Sequence, residues 1–296
     1  MNKKRIYALG FFDGVHIGHQ ALLAACREMA GELGCEAGVV TFTSHPDTLV
    51  AGRTPALINT PKERERLLRE RFGMDTVVAL PFDRDLMRMP WKNFFRLLLS
   101  KYAAAGLVCG EDFRFGFRGE GNAALLREAC REAGIPCAVV PEQRLDGITV
   151  SSTYIRSLLE AGELEQANRF LGHPHTVTGW VVPGRHLGRT LGVPTANMVL
   201  PGEVLCPRQG VYACMATVNG RQHRAVTNIG TRPTVDGTYV TVESWLLDFA
   251  GDLYGQELTL TLHAFLRPEI RFDSLEALKT QIREDAEKVI KFFEKA

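Results

Sequence analysis

An α/β half followed by an all-β half is the fold class this sequence predicts, and three observations carry it. Up to about residue 172, short apolar runs of strand length alternate with helical runs. From about 176 to 266, runs rich in Val, Thr and Tyr follow one another with Gly and Pro between them and no helix. A single amphipathic stretch then closes the chain. Alternating strand and helix imply a parallel sheet covered on both faces, whereas closely spaced strands imply an antiparallel sandwich or barrel. The expected domains are therefore 1–172 and 173–296.

In the first half the expected strands are 6–9, 37–42, 76–81, 106–110 and 137–140, separated by helices over 20–34, 61–72, 91–104 and 123–133. Helices over 155–160 and 162–172 follow, the last stopped by Gly172-His173-Pro174-His175. In the second half the expected strands are 176–182, 210–218, 224–229, 239–246 and 257–266. The closing helix, 274–293, sets Leu275, Leu278, Ile282, Ala286, Ile290 and Phe293 on one stripe, which predicts that it packs onto the β half.

With 296 residues, 45% of them apolar, and a formal net charge of +1, the composition is that of a soluble globular protein with two cores and no bulk attraction to nucleic acid. Acidic neighbours offset the basic residues of Lys62-Glu63-Arg64-Glu65-Arg66, which reads as a solvated helix face with i,i+4 pairs. Seven scattered cysteines without a C-x-x-C pair argue against a disulfide framework or a zinc site and suit the reducing cytoplasm. The basic start and apolar 6–12 faintly resemble a signal peptide, but Asp13 and His16 interrupt the pattern. No apolar run approaches membrane-spanning length.

Gly10-Phe11-Phe12-Asp13-Gly14-Val15-His16-Ile17-Gly18-His19 is a glycine-containing turn between the first strand and the first helix. A helix starting there aims unpaired N–H groups and its positive dipole end at the turn, which suits phosphate. His16 and His19, three apart, can face one ligand, and imidazole can hydrogen-bond a phosphoryl oxygen and carry charge while doing so. Surface or capping roles are the plain alternative for histidines at a helix start. Thr41 to Pro46 presents a third histidine, His45, after the second strand, and Gly110-Glu111-Asp112-Phe113-Arg114-Phe115-Gly116 after the fourth could hold a flat aromatic ligand or fill a core edge. Ser151, Ser152 or Thr153 suits an N-cap. Arg156 in the first turn of that helix would oppose its dipole, which favours an anion bound nearby.

In the β half, Gly184 to Thr190 is one residue short of a P-loop and has Arg where Lys belongs, so that reading is rejected. In an extended Pro194-Thr195-Ala196-Asn197, Thr195 and Asn197 project to one side and offer oxygen to a hard cation such as Mg²⁺. Glu243, mid-strand among apolar residues, is either on a solvated face or, facing the same cavity, a candidate general base.

Taken in order and spacing, these segments resemble the bacterial bifunctional riboflavin kinase/FMN adenylyltransferases, also called FAD synthetases. The resemblance covers nearly the whole chain. It rests on the F-D-G-V-H-x-G-H core, on residues 41–46, 110–116 and 151–156, and in the β half on Gly188-Arg189-x-Leu191-Gly192-x-Pro194-Thr195-Ala196-Asn197, Gly210 to Ala213, the Asn228 to Thr234 segment, Glu243, Asp252 to Gly255 and Phe265-Leu266-Arg267. It implies a Rossmann-like nucleotidyltransferase domain over 1–172 and a Greek-key barrel with a terminal helix over 173–296. It also implies two reactions: ATP phosphorylates riboflavin to FMN, and a second ATP adenylylates FMN to FAD with release of pyrophosphate. On this resemblance Thr195 and Asn197 hold Mg²⁺ and nucleotide phosphates, and Glu243 is the base. His16 and His19 stabilise charge on the α-phosphate, and Ser152 and Arg156 bind pyrophosphate. Gly10, Phe11, Asp13, Gly18, Phe113, Arg114, Gly188, Arg189 and Arg267 contribute to nucleotide or flavin binding. Small molecules are the expected partners, with no nucleic acid or membrane, and the expected state is a monomer or weak homo-oligomer. Asn122 stands where the family pattern has an aspartate. The alternative is that one half is a flavin- or nucleotide-binding module without activity.

Overall fold

The computed structural model describes residues 3–184, 192–234 and 237–295, and the side chains of 232–239 are not described. The chain divides into two compact units, Met1–Ser152 and Thr153–Ala296.

The first unit runs β1 Arg5–Leu9, α1 Ile17–Leu33, β2 Glu36–Phe42, α2 Asp47–Val50, α3 Pro61–Arg66, a π turn Leu67–Arg71, β3 Thr76–Leu80, α4 Arg84–Arg88, α5 Trp91–Tyr102 and β4 Ala104–Gly110. The paired β5 Arg114–Phe115 and β6 Gly121–Asn122, α6 Ala123–Ala133, β7 Cys137–Val140 and the hairpin of β8 Arg144–Leu145 with β9 Ile148–Thr149 complete it. Its sheet has the order β3-β2-β1-β4-β7, and every pairing is parallel. Alternation along β1 sends Ile6 and Ala8 to one core with Leu23, Cys26 and Ala30 of α1, and Tyr7 and Leu9 to the other with Phe94 and Leu98 of α5 and Leu126 of α6. Both faces are thus covered, as the alternating pattern predicts.

Details differ for local reasons. The helix expected over 91–104 stops at Tyr102 because Ala103 takes a left-handed conformation and β4 begins at Ala104. The helix expected from residue 20 starts at Ile17, because His16 caps it.

The second unit holds most of α7 Ser152–Ala161, then α8 Leu164–Leu171, β10 His175–Val182, β11 Ala196–Val199, β12 Gly210–Val218, β13 Arg221–Thr234, β14 Gly237–Leu246, β15 Glu257–Arg267 and α9 Leu275–Lys295. Arg208 bonds the Leu159 and Ala161 carbonyls of α7, and Asn168 of α8 bonds the Leu262 carbonyl and the His175 N–H. Those bonds explain why both helices group with this unit.

The strands form a closed antiparallel barrel in the order β10-β11-β14-β13-β12-β15. The three-strand meander β12-β13-β14 with β11 beside β14 is the Greek-key arrangement. Asn219-Gly220 makes the two-residue turn between β12 and β13, both with positive φ, as a right-twisted hairpin requires. Inside the barrel, Ala196, Ser244, Thr227 and Tyr212 lie in register and buried, and the Thr227 and Ser244 hydroxyls bond at 2.9 Å.

α9 covers the outer face: Ala286 and Val289 pack on Val211, Ala213, Val226, Leu247 and Ala264. The expected stripe is corrected at its start. Leu275 is 55% exposed, while Asp285 and Val289 are buried instead. The helix begins before it reaches the barrel surface, so its first apolar residue has nothing to cover.

Candidate active sites

In the parallel sheet, β1 leads to β2 and β3 on one side, and the chain then returns to β4 on the other. The loops leaving the carboxyl ends of β1 and β4 therefore flank a topological switch point, where such sheets bind ligands. Residues 10–19 form the first of these loops.

Its backbone is strained. Phe12, Gly14 and Val15 have φ of 60°, 77° and 42°, and left-handed φ at non-glycine residues costs about 1–3 kcal/mol each. Burial of Phe12 and Val15 holds the shape. So do bonds from Val15 N–H to the Phe12 carbonyl (3.1 Å) and from Gln20 to the Val15 carbonyl (2.9 Å). The Asp13 carboxylate accepts from the Ile58 N–H (2.9 Å) and the Asn59 N–H (3.4 Å). The Ser152 hydroxyl donates to the Asp13 carbonyl at 2.9 Å, so Ser152 is joined to the turn.

His16 is the N-cap of α1, and its Nδ1 accepts from the His19 N–H at 3.3 Å. In the neutral ring this leaves the proton on Nε2. The two imidazoles stack 3.6 Å apart at 15°. A Cβ on Gly18 would lie 3.2 Å from the His16 ring, so a small residue is needed there. His19 Nδ1 is buried without a partner. Burial first, then His16 and Arg64, hold the His19 imidazole well below its usual range. The shift favours the uncharged of the two forms open to the ring.

Gly10, just past β1, places its N–H on the Val40 carbonyl, and the Phe11 carbonyl accepts from Thr41. The Phe11 ring meets His45 edge-on at 4.6 Å, and the Arg64 guanidinium lies 4.2 Å over its face. After β4 the aromatic motif divides. Phe115 is buried beside Trp91 and Phe94, Phe113 stacks on it at 5.4 Å in a half-buried position, and Arg114 is exposed. Asn122 caps α6, accepting from the Leu125 N–H at 3.0 Å, a role that aspartate fills equally well.

Two expectations change. α7 begins at Ser152, so Arg156 is its fifth residue, beyond the first turn, and opposes the dipole little. The charged run 62–66 is only partly solvated. Glu65 pairs with Arg69 at 2.9 Å, but Glu63 and Arg64 are 4% and 1% exposed. Asn59 and Arg64 are the residues sequence reasoning missed. The one available signal was Pro61 after Thr60, a helix start that fixes which residues turn inward.

In the barrel, Asn197, Glu243, Asn228 and Val211 form one cross-strand row on the outer face, its Val211 end packed under α9. Two cavities flank this row. One, of about 260 Å³, is bounded by Thr195, Asn228, Glu243, Trp245, Arg267 and Asp285, and the other, of about 800 Å³, by Thr195, Asn197, Phe249, Asp252 and Tyr254 among others. Thr195 borders both, Glu243 the first and Asn197 the second. Of the two placements open to Glu243, a solvated face or a cavity shared with Thr195 and Asn197, it lines a cavity with Thr195, while Asn197 borders the neighbouring one.

Arg267 is paired with buried Asp285, its Nη2 donating to Oδ2 (2.7 Å) and its Nε to Oδ2 (2.9 Å) and Oδ1 (3.2 Å), and lines the smaller cavity, as does Glu269, which accepts from Asn228 at 2.9 Å. Gly188 and Arg189 lie outside the described residues.

Among the described residues no helix is long and apolar enough to cross a membrane. Residues 1–154 match the FAD synthetase family model and residues 171–293 the riboflavin kinase model. Proteins named bifunctional riboflavin kinase/FMN adenylyltransferase are similar over nearly the full length. That of Pseudomonas fluorescens is 40% identical (95% of this chain, 90% of the relative), and that of Escherichia coli K12 is 39% identical (97% and 92%). That of Listeria monocytogenes is 34% identical (98% and 93%). A crystal structure titled as a macrolide-efflux protein from Streptococcus pneumoniae shares the fold, with a TM-score of 0.87, 30% identity, and coverage of 97% and 94%. With both domains and their order matched, the chain belongs to the bifunctional riboflavin kinase/FMN adenylyltransferase family, and it carries both activities, making FMN from riboflavin and FAD from FMN.

Proposed function

We propose that the two reactions run at the two sites described, adenylyl transfer in the domain 1–172 and phosphorylation in the domain 173–296. The observation that carries the kinase reading is the pairing of Asn197 with Glu243 beside two cavities that share Thr195. Riboflavin takes the smaller cavity with its ribityl hydroxyl toward Glu243, and ATP the larger with its γ-phosphate toward Thr195. Glu243 accepts the hydroxyl proton as that oxygen attacks phosphorus. Positioning provides most of the rate, and the base a smaller part.

Thr195 and Asn197 offer neutral oxygen donors, which fit a hard cation. Among the described residues no group of three or more His, Cys, Asp or Glu side chains is arranged for a metal. Mg²⁺ would thus be held by Thr195, Asn197 and the nucleotide itself. When bound, the ion neutralises phosphate charge.

In the first domain the FMN phosphate is the nucleophile, so no covalent enzyme intermediate is needed. His16 and His19 hydrogen-bond the α-phosphate as charge builds there. Ser152 and Arg156 on α7 bind the outgoing pyrophosphate. Gly10, Phe11, Asp13 and Gly18 shape the nucleotide corner, and Phe113 and Arg114 contact its ligand. The same reading gives Arg267 to the flavin cavity and Gly188 and Arg189 to the nucleotide. It puts the enzyme in the cytoplasm, working on small molecules as a monomer or weak homo-oligomer.

The test is to incubate the protein with riboflavin, ATP and Mg²⁺ and separate the flavins over time. FMN should appear first and FAD follow. Glu243→Gln should slow FMN formation by about 10²–10⁴-fold yet leave FAD formation from supplied FMN intact, and His19→Ala should slow FAD formation and leave FMN formation intact. Loss of both activities in either variant would refute the separation of the sites.

A further inference from the structure

The wall facing the 10–19 turn contains polar groups that the protein leaves unfilled. Asn59 and Arg64 are each 1% exposed. Both amide atoms of Asn59, and Nε and Nη1 of Arg64, have no hydrogen-bond partner. Arg64 uses only Nη2, which donates to the Phe42 carbonyl at 2.6 Å, and its guanidinium covers the Phe11 ring. Phe42 ends β2 and Phe11 lies just past β1, so Arg64 is pinned at the carboxyl edge of the sheet.

Burying a guanidinium is expensive unless acceptors and counter-charge meet it. Burial pushes the Arg64 guanidinium down to about 10, partly opposed by nearby Asp13, so it remains charged at neutral pH. The Asp13 oxygens already accept from Ile58 and Asn59. The His19 imidazole, close enough to feel Arg64, is pushed toward its neutral form. The guanidinium of α3 therefore brings a fixed positive charge to the turn read as a phosphate corner. An incoming phosphate would supply both the missing counter-charge and the missing acceptors.

We propose that Arg64 is a catalytic residue of adenylyl transfer, with Nε and Nη1 binding a non-bridging oxygen of the nucleotide α-phosphate as negative charge builds on it. The proposal rests on the reading of residues 10–19 as the adenylyl-transfer site. An FMN phosphate oxygen bonds to the α-phosphorus, the bond to the pyrophosphate oxygen breaks, and pyrophosphate leaves with the electron pair. Arg64 keeps its proton throughout.

The test uses the full chain with FMN and ATP supplied, so that the kinase step is bypassed. Arg64→Gln keeps a donor for the Phe42 carbonyl but removes the charge, and Arg64→Met removes both. FAD formation should fall at least 100-fold in kcat/KM for both, while the inhibition constant of adenosine stays within twofold and riboflavin phosphorylation is unchanged. Arg64→Lys should regain at least tenfold of the loss. Unchanged FAD formation in the Gln variant would overturn the proposal. So would an adenosine inhibition constant that rises in step with the lost rate in both neutral variants, because Arg64 would then be a structural clamp. Failure of wild-type protein to make FAD from FMN would instead sink the reading of the turn.

Discussion

Asn197 and Glu243 are register partners across β11 and β14, yet each borders a different cavity. On the proposed reading, the carboxylate and the amide stand on the two sides of one transfer point. A positioned general base contributes about 10²–10⁴-fold, so Glu243→Gln should lower kcat for FMN formation by about that factor with little change in riboflavin KM. Steady-state kinetics with separated flavins checks it.

Asp285 and Arg267 form a buried pair lining the smaller cavity, with side chains 1% and 16% exposed. Removing one partner of such a pair typically costs about 3–5 kcal/mol, and replacing both with apolar residues far less. Asp285→Asn should therefore lower the urea midpoint, and Asp285→Leu with Arg267→Met should recover most of the loss. A double variant no more stable than Asp285→Asn would contradict this account.

His175 is fully buried with both ring nitrogens unpartnered, and burial, then neighbouring His173, push it down to about 3. The folded pKa is depressed, so the fold needs the neutral ring. Stability is fully present above the unfolded value of about 6.5 and is lost as pH falls from there toward 3. This group contributes a slope of about 1.4 kcal/mol per pH unit in that window. Urea unfolding at pH 7, 6, 5 and 4 should show a shallower decline for His175→Leu, and parallel curves would refute the assignment.

Asn122, where the resemblance leads one to expect aspartate, caps α6. Asn122→Asp should leave stability within a few tenths of a kcal/mol, and Asn122→Ala should cost about 0.5–2 kcal/mol. FAD formation should be unchanged in both, as measured alongside thermal unfolding. A tenfold gain in Asn122→Asp would mean that the charge acts in catalysis.

Periodicity made the alternating half and the strand-rich half legible, because strand alternation and helix stripes are local. Residues whose position depends on distant packing were less so. Arg64 sits in a charge run with correct i,i+4 spacing, which by itself reads as solvated, and only its packing against Phe11 and Phe42 places it inside. Leu275 fits the helix stripe but lies beyond the surface that the stripe covers. Thr195, Asn197 and Glu243 were legible as oxygen donors, but that Thr195 stands between two cavities depends on how β11 enters the barrel.

Thr195 gives that last feature a thermodynamic consequence. A side chain that bounds two cavities cannot be enlarged, shifted or ordered in one without altering the other. Any ligand that moves it changes the affinity of its neighbour, and by linkage the neighbour returns the same factor. If flavin and nucleotide take these two cavities as proposed, their order of arrival can be free while their binding energies are tied.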